Sequence, residues 1–117
     1  MYEPSSLVAI STDHQLPGCV LTVARRDEVI VWLIGEIDLS VAPDLDQVAD
    51  SAVPFARRLV IDASRVVFCD STVAQFVARM VGFMEVVVRR PSRVFADLLA
   101  TTGLHLHVLM QAESEHR

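Results

Sequence analysis

A chain of 117 residues, 52% apolar and 21% charged, with a net charge of −5, is one domain that can bury a core without disulfide staples and is too apolar to remain unfolded. Every basic residue is arginine, and the pairs Arg25-Arg26, Arg57-Arg58 and Arg89-Arg90 fall at element ends rather than along one stripe, so no nucleic acid partner is expected and a basic protein surface suits the charge better. The longest apolar run, Val29 to Ile34, is too short to cross a bilayer and nothing resembles a signal peptide, so no membrane association or export is expected and the reading is cytoplasmic.

Residues 1–17 are predicted to be an N-terminal extension, with Pro4-Ser5-Ser6 and Pro17-Gly18 as loop signals and room for a short strand at Leu7 to Ile10. Cys19 to Ala24 is a short apolar strand. A charged turn, Arg25 to Glu28, leads into Val29 to Ile34, which is rich in β-branched residues and apolar on both faces, as a central strand would be. Ser40 to Pro43 starts a helix whose buried face is Leu45, Val48, Ala49, Ala52 and Val53, and Pro54 ends it. Leu59 to Ala63 is a third strand, and Val66 to Cys69 a shorter apolar approach. Val73, Phe76, Val77, Met80, Val81 and Met84 recur three and four apart, which predicts a helix over 73–83 weakened by Gly82. Glu85 to Arg89 is a fourth strand. Ser92 caps a helix carrying Val94, Phe95, Leu98 and Leu99 on one side, with Gly103 as its stop. Leu104 to Met110 alternates as a last strand, and residues 111–117 form a frayed polar tail. The alternation of strands and helices predicts a single α/β domain over 18–110, with a mixed sheet of four to five strands and about three main helices packed against it.

The stretch Val67 to Phe76 organises the rest. Asp70, Ser71 and Thr72 sit where a strand turns into a helix, and Thr72-x-x-Gln75 fits a capping box. A hydroxyl there can cap the helix, contributing about 1 kcal/mol, which the stretch alone favours. The alternative is modification. A helix N-terminus offers unsatisfied N–H donors and partial positive charge, so it tolerates a phosphate.

Gly35-Glu36-Ile37-Asp38-Leu39-Ser40-Val41-Ala42-Pro43, Leu59 to Ser64, Val67 to Thr72 and Thr102-Gly103-Leu104 occur in one order. Together these segments resemble the STAS domain family, and within it the bacterial anti-sigma factor antagonists, over about residues 18–110. The resemblance implies a regulatory binding protein with no catalytic residues and no cofactor. Its implied partner is an anti-sigma factor, usually a GHKL-type serine kinase, whose capture frees a sigma factor. It also implies phosphorylation of the serine that follows the motif's aspartate, here Ser71 after Asp70, reversed by a PP2C-type phosphatase. Asp38, Ser40, Asp70, Ser71, Thr72 and Val73 would then lie on the partner-facing edge. The family's glycine after the hydroxyl pair is Val73 here, whose β-branched side chain is expected to obstruct the close approach of another backbone. Self-association as a homodimer is left open.

Other chemistry is thin. Ser71 lacks a Gly-x-Ser-x-Gly elbow, and Asp70 is adjacent to it rather than placed to orient a base, so hydrolysis is not expected. His105 and His107 lie two apart on the predicted last strand without an evident third metal ligand, and no metal is expected. Cys19 and Cys69 make no disulfide or metal framework and are expected as buried, reduced thiols. Asp62 is expected to cap a turn at a strand end. A ligand- or nucleotide-sensing module and a constitutive, unphosphorylated binding subunit stand as the alternatives. The absence of a Gly-rich phosphate loop counts against the first, and Val73 favours the second.

Overall fold

Runs of β-branched residues and helical spacings alternate along the chain. In the computed structural model, which describes residues 17–111, they become five strands and three α-helices among the described residues. The strands are β1 (Cys19–Arg25), β2 (Glu28–Ile37), β3 (Arg58–Cys69), β4 (Glu85–Arg89) and β5 (Leu109–Gln111), and they lie in the sheet in chain order. β1 runs antiparallel to β2 and the rest are parallel. The helices are α1 (Ala42–Ala52), α2 (Ser71–Val81) and α3 (Arg93–Thr102). Each crossover steps to the next strand in the same direction, and right-handed crossovers of that kind stack all their helices on one side of the sheet.

The core follows from that layering. Val29, Val31, Leu33, Leu59, Ile61, Val86 and Val88 meet Leu45, Val48 and Ala49 of α1, Val73, Phe76, Val77 and Met80 of α2, and Phe95 and Leu99 of α3 in one buried cluster. On the face opposite the described helices, Ile30, Val60 and Val87 are also buried, with Trp32 packed beside them. No helix among the described residues is long and apolar enough to cross a membrane.

Several boundaries differ from expectation. Leu59 to Ala63 and Val66 to Cys69 belong to one twelve-residue strand, β3. Polar Ser64 and Arg65 look like a break in sequence, but each of two register shifts against β2 accommodates an extra β3 residue: Trp32 and Ile34 pair with Asp62 and Arg65, Gly35 and Glu36 with Val66 and Phe68. Such bulges turn neighbouring side chains to the same side, and Ser64, Arg65, Val67 and Phe68 are accordingly exposed around buried Val66. The predicted strand from Leu104 is in fact a 3-10 turn, Leu104–Leu106, followed by the short β5. Gly103, at φ 78, ends α3 in the left-handed region that favours glycine, and the His107 N–H donates to the Leu104 carbonyl, tightening the turn. His105 and His107 are therefore not strand neighbours. Gln111, expected in the tail, closes β5, and its carbonyl accepts from the Arg90 N–H. Val94, expected on the buried side of α3, is exposed. The expected strand at Leu7 to Ile10, with the rest of residues 1–16 and 112–117, lies outside the described residues.

Gly18 marks the entry to the sheet. A Cβ there would stand 2.1 Å from the Glu36 carbonyl oxygen and 2.9 Å from Val41 Cγ1. Backbone at that distance has nowhere to go, so Gly18→Ala is expected to destabilise the fold by roughly 2 kcal/mol, the cost of overpacking. Urea denaturation would check this; an unchanged midpoint would mean that β1 does not sit against β2 as described.

Candidate functional site

β2 and β3 are parallel neighbours, and Ile37 pairs with Cys69 at their C-terminal ends. One residue further on, Asp38 and Asp70 leave the sheet side by side, about 5 Å apart in the strand-to-strand direction. Each starts a helical turn in the same way. The Asp38 carboxylate accepts from the Ser40 N–H at 3.0 Å and the Ser40 hydroxyl at 2.6 Å, opening the 3-10 turn Leu39–Val41. These two bonds, the hydroxyl's first, hold the Asp38 carboxyl below its usual range. The Asp70 carboxylate accepts from the Thr72 N–H at 2.9 Å and caps α2. The carboxyl ends of two neighbouring parallel strands therefore bring both carboxylates and the first turn of α2 to one edge of the sheet.

Asp70, then, is the cap. The capping box expected from Thr72 and Gln75 does not form, because Asp70 precedes both hydroxyls and takes the first-turn donor. Ser71 becomes the first residue of α2, exposed, and its hydroxyl has no hydrogen-bond partner among the described residues. Thr72 is half-buried beside it. Val73 points the other way: it is 0% exposed and belongs to the core, so its side chain neither lines this edge nor stands in the way of a backbone approaching it. Of the six residues expected at this edge, the structure brings Asp38, Ser40, Asp70, Ser71 and Thr72 together and places the Val73 side chain inside.

The edge is apolar as well as acidic. Leu39 stands 74% exposed between Asp38 and Ser40, and Val67 and Phe68 are about half exposed on the strand leading to Ser71. Between α1 and α2 lies an open hollow of about 460 Å³, walled by Leu39, Ala42, Ser71, Gln75 and Phe76. At its far end Arg79 reaches across from α2 to Asp46 at 3.3 Å and Asp50 at 3.4 Å on α1. Sequence reasoning did not single out Leu39 or Phe68. The available signal was a bulky apolar residue inside a polar turn, where no core face needs it.

The nearby cysteines, histidines and Asp62 have other surroundings than the sequence led one to expect. Burial, then the Asp70 charge, pushes the Cys69 thiol up to about 11, so it is protonated at neutral pH and is a poor nucleophile. It donates to the Val94 carbonyl at 3.8 Å. Cys19, expected to be buried, is exposed at the other end of its strand pairing, opposite Ile34. His105 Nδ1 lies 3.3 Å from the Leu99 carbonyl, a local helix-end contact. Among the described residues no three His, Cys, Asp or Glu side chains gather as a metal site would require. Asp62 is not at a strand end but within β3, 2% exposed, where its carboxylate accepts from the Ser64 N–H and hydroxyl and from Arg89 and Arg90. Burial raises its pKa, and the bonds from Arg90 and Ser64 outweigh that, leaving it below the usual value.

The profile of the family described as "Mlab, STAS domain" matches residues 20–111. No curated protein matches the chain. Among solved structures, the anti-sigma factor antagonist SpoIIAA in its unphosphorylated form superposes with a TM-score of 0.68 at 19% identity, covering 85% of this chain and 90% of that one. An anti-sigma factor antagonist from Mycobacterium paratuberculosis gives a TM-score of 0.68 at 25% identity, covering 81% and 86%. The phosphorylated form of SpoIIAA, a Bacillus cell fate determinant, gives 0.63 at 19% identity, covering 85% and 93%. The shared feature is the fold: one mixed sheet with its helices packed against it.

Proposed function

The chain belongs to the STAS domain family, and from that premise we propose that it is an anti-sigma factor antagonist, switched off by phosphorylation of Ser71. In this reading it has no catalysis of its own and works in the cytoplasm. It captures an anti-sigma factor that is itself a GHKL-type serine kinase, so that a sigma factor is released, and a PP2C-type phosphatase restores it. The observation that carries the reading is the exposed hydroxyl of Ser71, without a hydrogen-bond partner among the described residues, on the first residue of a helix that Asp70 already caps.

Each part has a physical role. Asp38, Ser40, Asp70 and Thr72 present a rigid polar edge, and Leu39 and Phe68 offer apolar anchors of the kind that dominate interface energetics. A phosphate on Ser71 adds nearly two negative charges next to Asp70 and Asp38. The first-turn N–H groups of α2 can hold it without unfolding the domain. A partner packed on that edge would have to desolvate the dianion, which costs more than the contact returns. No large shape change is needed.

Incubation with an anti-sigma kinase of the GHKL class and ATP, followed by mass-spectrometric mapping, tests the proposal. Phosphate on Ser71 and loss of the complex on modification are the expected results. Tight binding with no modification would replace the switch by constitutive capture, and phosphate on another residue would remove Ser71 from the account.

A further inference from the structure

The sheet face opposite the three described helices holds a second hollow, of about 490 Å³, which spans β1, β2 and β3 away from the α1–α2 edge. Its floor follows the strand register. Leu21, Trp32 and Asp62 form one row across β1, β2 and β3, with Arg89 next on β4; Val23, Ile30 and Val60 form the row before it, and Cys19, Ile34 and Arg65 the row after. Leu21, Val23, Trp32 and Ile34 make the lining apolar, and Leu21 and Val23 remain about half exposed at the rim. Ile30 and Val60 beneath are buried, and none of the described helices lies on this side.

The charges around it are unequal in what they have left to do. Asp62, the one buried carboxylate among the described residues, already accepts from Ser64, Arg89 and Arg90, so it offers nothing to an incoming cation. Arg65 is different. The first bulge of β3 brings it out beside Ser64 at the mouth of the hollow, exposed, and among the described residues no carboxylate pairs with it. Arg90 also lines the hollow but is held by Asp62. An indole plane, an aliphatic rim and the Arg65 guanidinium, with which no described carboxylate pairs, suit a flat apolar anion that the guanidinium can fork onto.

We propose that this hollow binds a small flat apolar anion, an aryl carboxylate or sulfonate, with its ring system against Trp32, Leu21 and Ile34 and its anionic group on Arg65. The site is separate from the Ser71 edge and does not depend on the antagonist reading. The cleft accepts the apolar body because burying it removes water from Leu21 and Val23. Arg65 then selects the charge.

Trp32 is the only tryptophan in the chain, so its fluorescence reports on this hollow alone. The full chain is titrated with 1-anilinonaphthalene-8-sulfonate and, separately, with the uncharged N-phenyl-1-naphthylamine. The expected results are saturable quenching of Trp32 by the sulfonate at one equivalent, a loss of about tenfold in its affinity in Arg65→Glu, and less than a twofold change for the neutral probe. Arg65 is exposed, so both Arg65→Glu and Arg65→Gln should fold, and their melting curves confirm it; Arg57→Glu, at the far hairpin end, should leave both affinities unchanged. Equal binding of both probes, sulfonate binding without a Trp32 response, or an Arg65→Glu effect below twofold would overturn the proposal.

Discussion

Ser71→Asp is expected to weaken binding to the partner anti-sigma factor by at least about a hundredfold, roughly 3 kcal/mol, while Ser71→Ala changes it by less than about threefold. The asymmetry follows from the site. The Ser71 hydroxyl is exposed and bonded to nothing among the described residues, so removing it deletes no internal contact. A carboxylate in its place stands beside Asp70 and near Asp38, on an edge that the partner must dehydrate. The fold itself should barely respond. Negative charge at the start of α2 interacts favourably with the helix dipole, and repulsion from Asp70 offsets part of that, so the melting temperature of Ser71→Asp should stay within a few degrees of the parent. Calorimetric titration of both variants against the same partner separates the cases. Equal affinities for the alanine and aspartate variants would remove the proposed switch and leave the architecture untouched.

Val73→Gly should be the most damaging change near the site, and for a reason unrelated to docking. The substitution would restore the glycine that the resemblance places at this position, and from sequence alone it is expected to open the edge to a partner. The valine instead lies in the core with Phe76, Val77 and Met80. Deleting its three side-chain carbons removes about 2 kcal/mol of transfer free energy, and the cavity and the glycine penalty in a helix bring the total to about 3 kcal/mol. That is a large fraction of the stability of a small domain and corresponds to a fall of roughly 10 °C in Tm. Thermal and urea unfolding would measure it. A loss under about 1 kcal/mol would mean that the first turn of α2 is not anchored as described, whereas a large loss with unchanged affinity of the folded protein is the expected pattern.

The order of strands and helices was legible because its periods are simple. Val29 to Ile34 has the composition of a central strand, and Val73, Phe76, Val77 and Met80 the spacing of a buried helical face. That same spacing already marked Val73 as a core residue, and the resemblance drew attention to its position in the motif instead. β3 was harder, since Ser64 and Arg65 look like a turn until the register with β2 shows a bulge absorbing them. The C-terminal strand failed for the opposite reason. Leu104, Leu106, Val108 and Met110 alternate as a strand should, but Gly103 sets up a 3-10 turn first, and Leu106 ends up three-quarters exposed. The cap could not be assigned from composition, because Asp70, Ser71 and Thr72 are all good cap residues and only backbone geometry selects among them. Leu39 and Phe68 escaped notice because an exposed apolar side chain has no period to betray it.

The first turn of α2 is fastened at two points, outside by the Asp70 carboxylate on the Thr72 N–H and inside by Val73 in the core. A kinase acting on Ser71, as proposed, could not readily draw the serine out as a strand of free peptide and would have to read a preformed shape whose parts come from distant stretches of the chain. A synthetic fragment spanning the same residues would keep the letters and lose the surface.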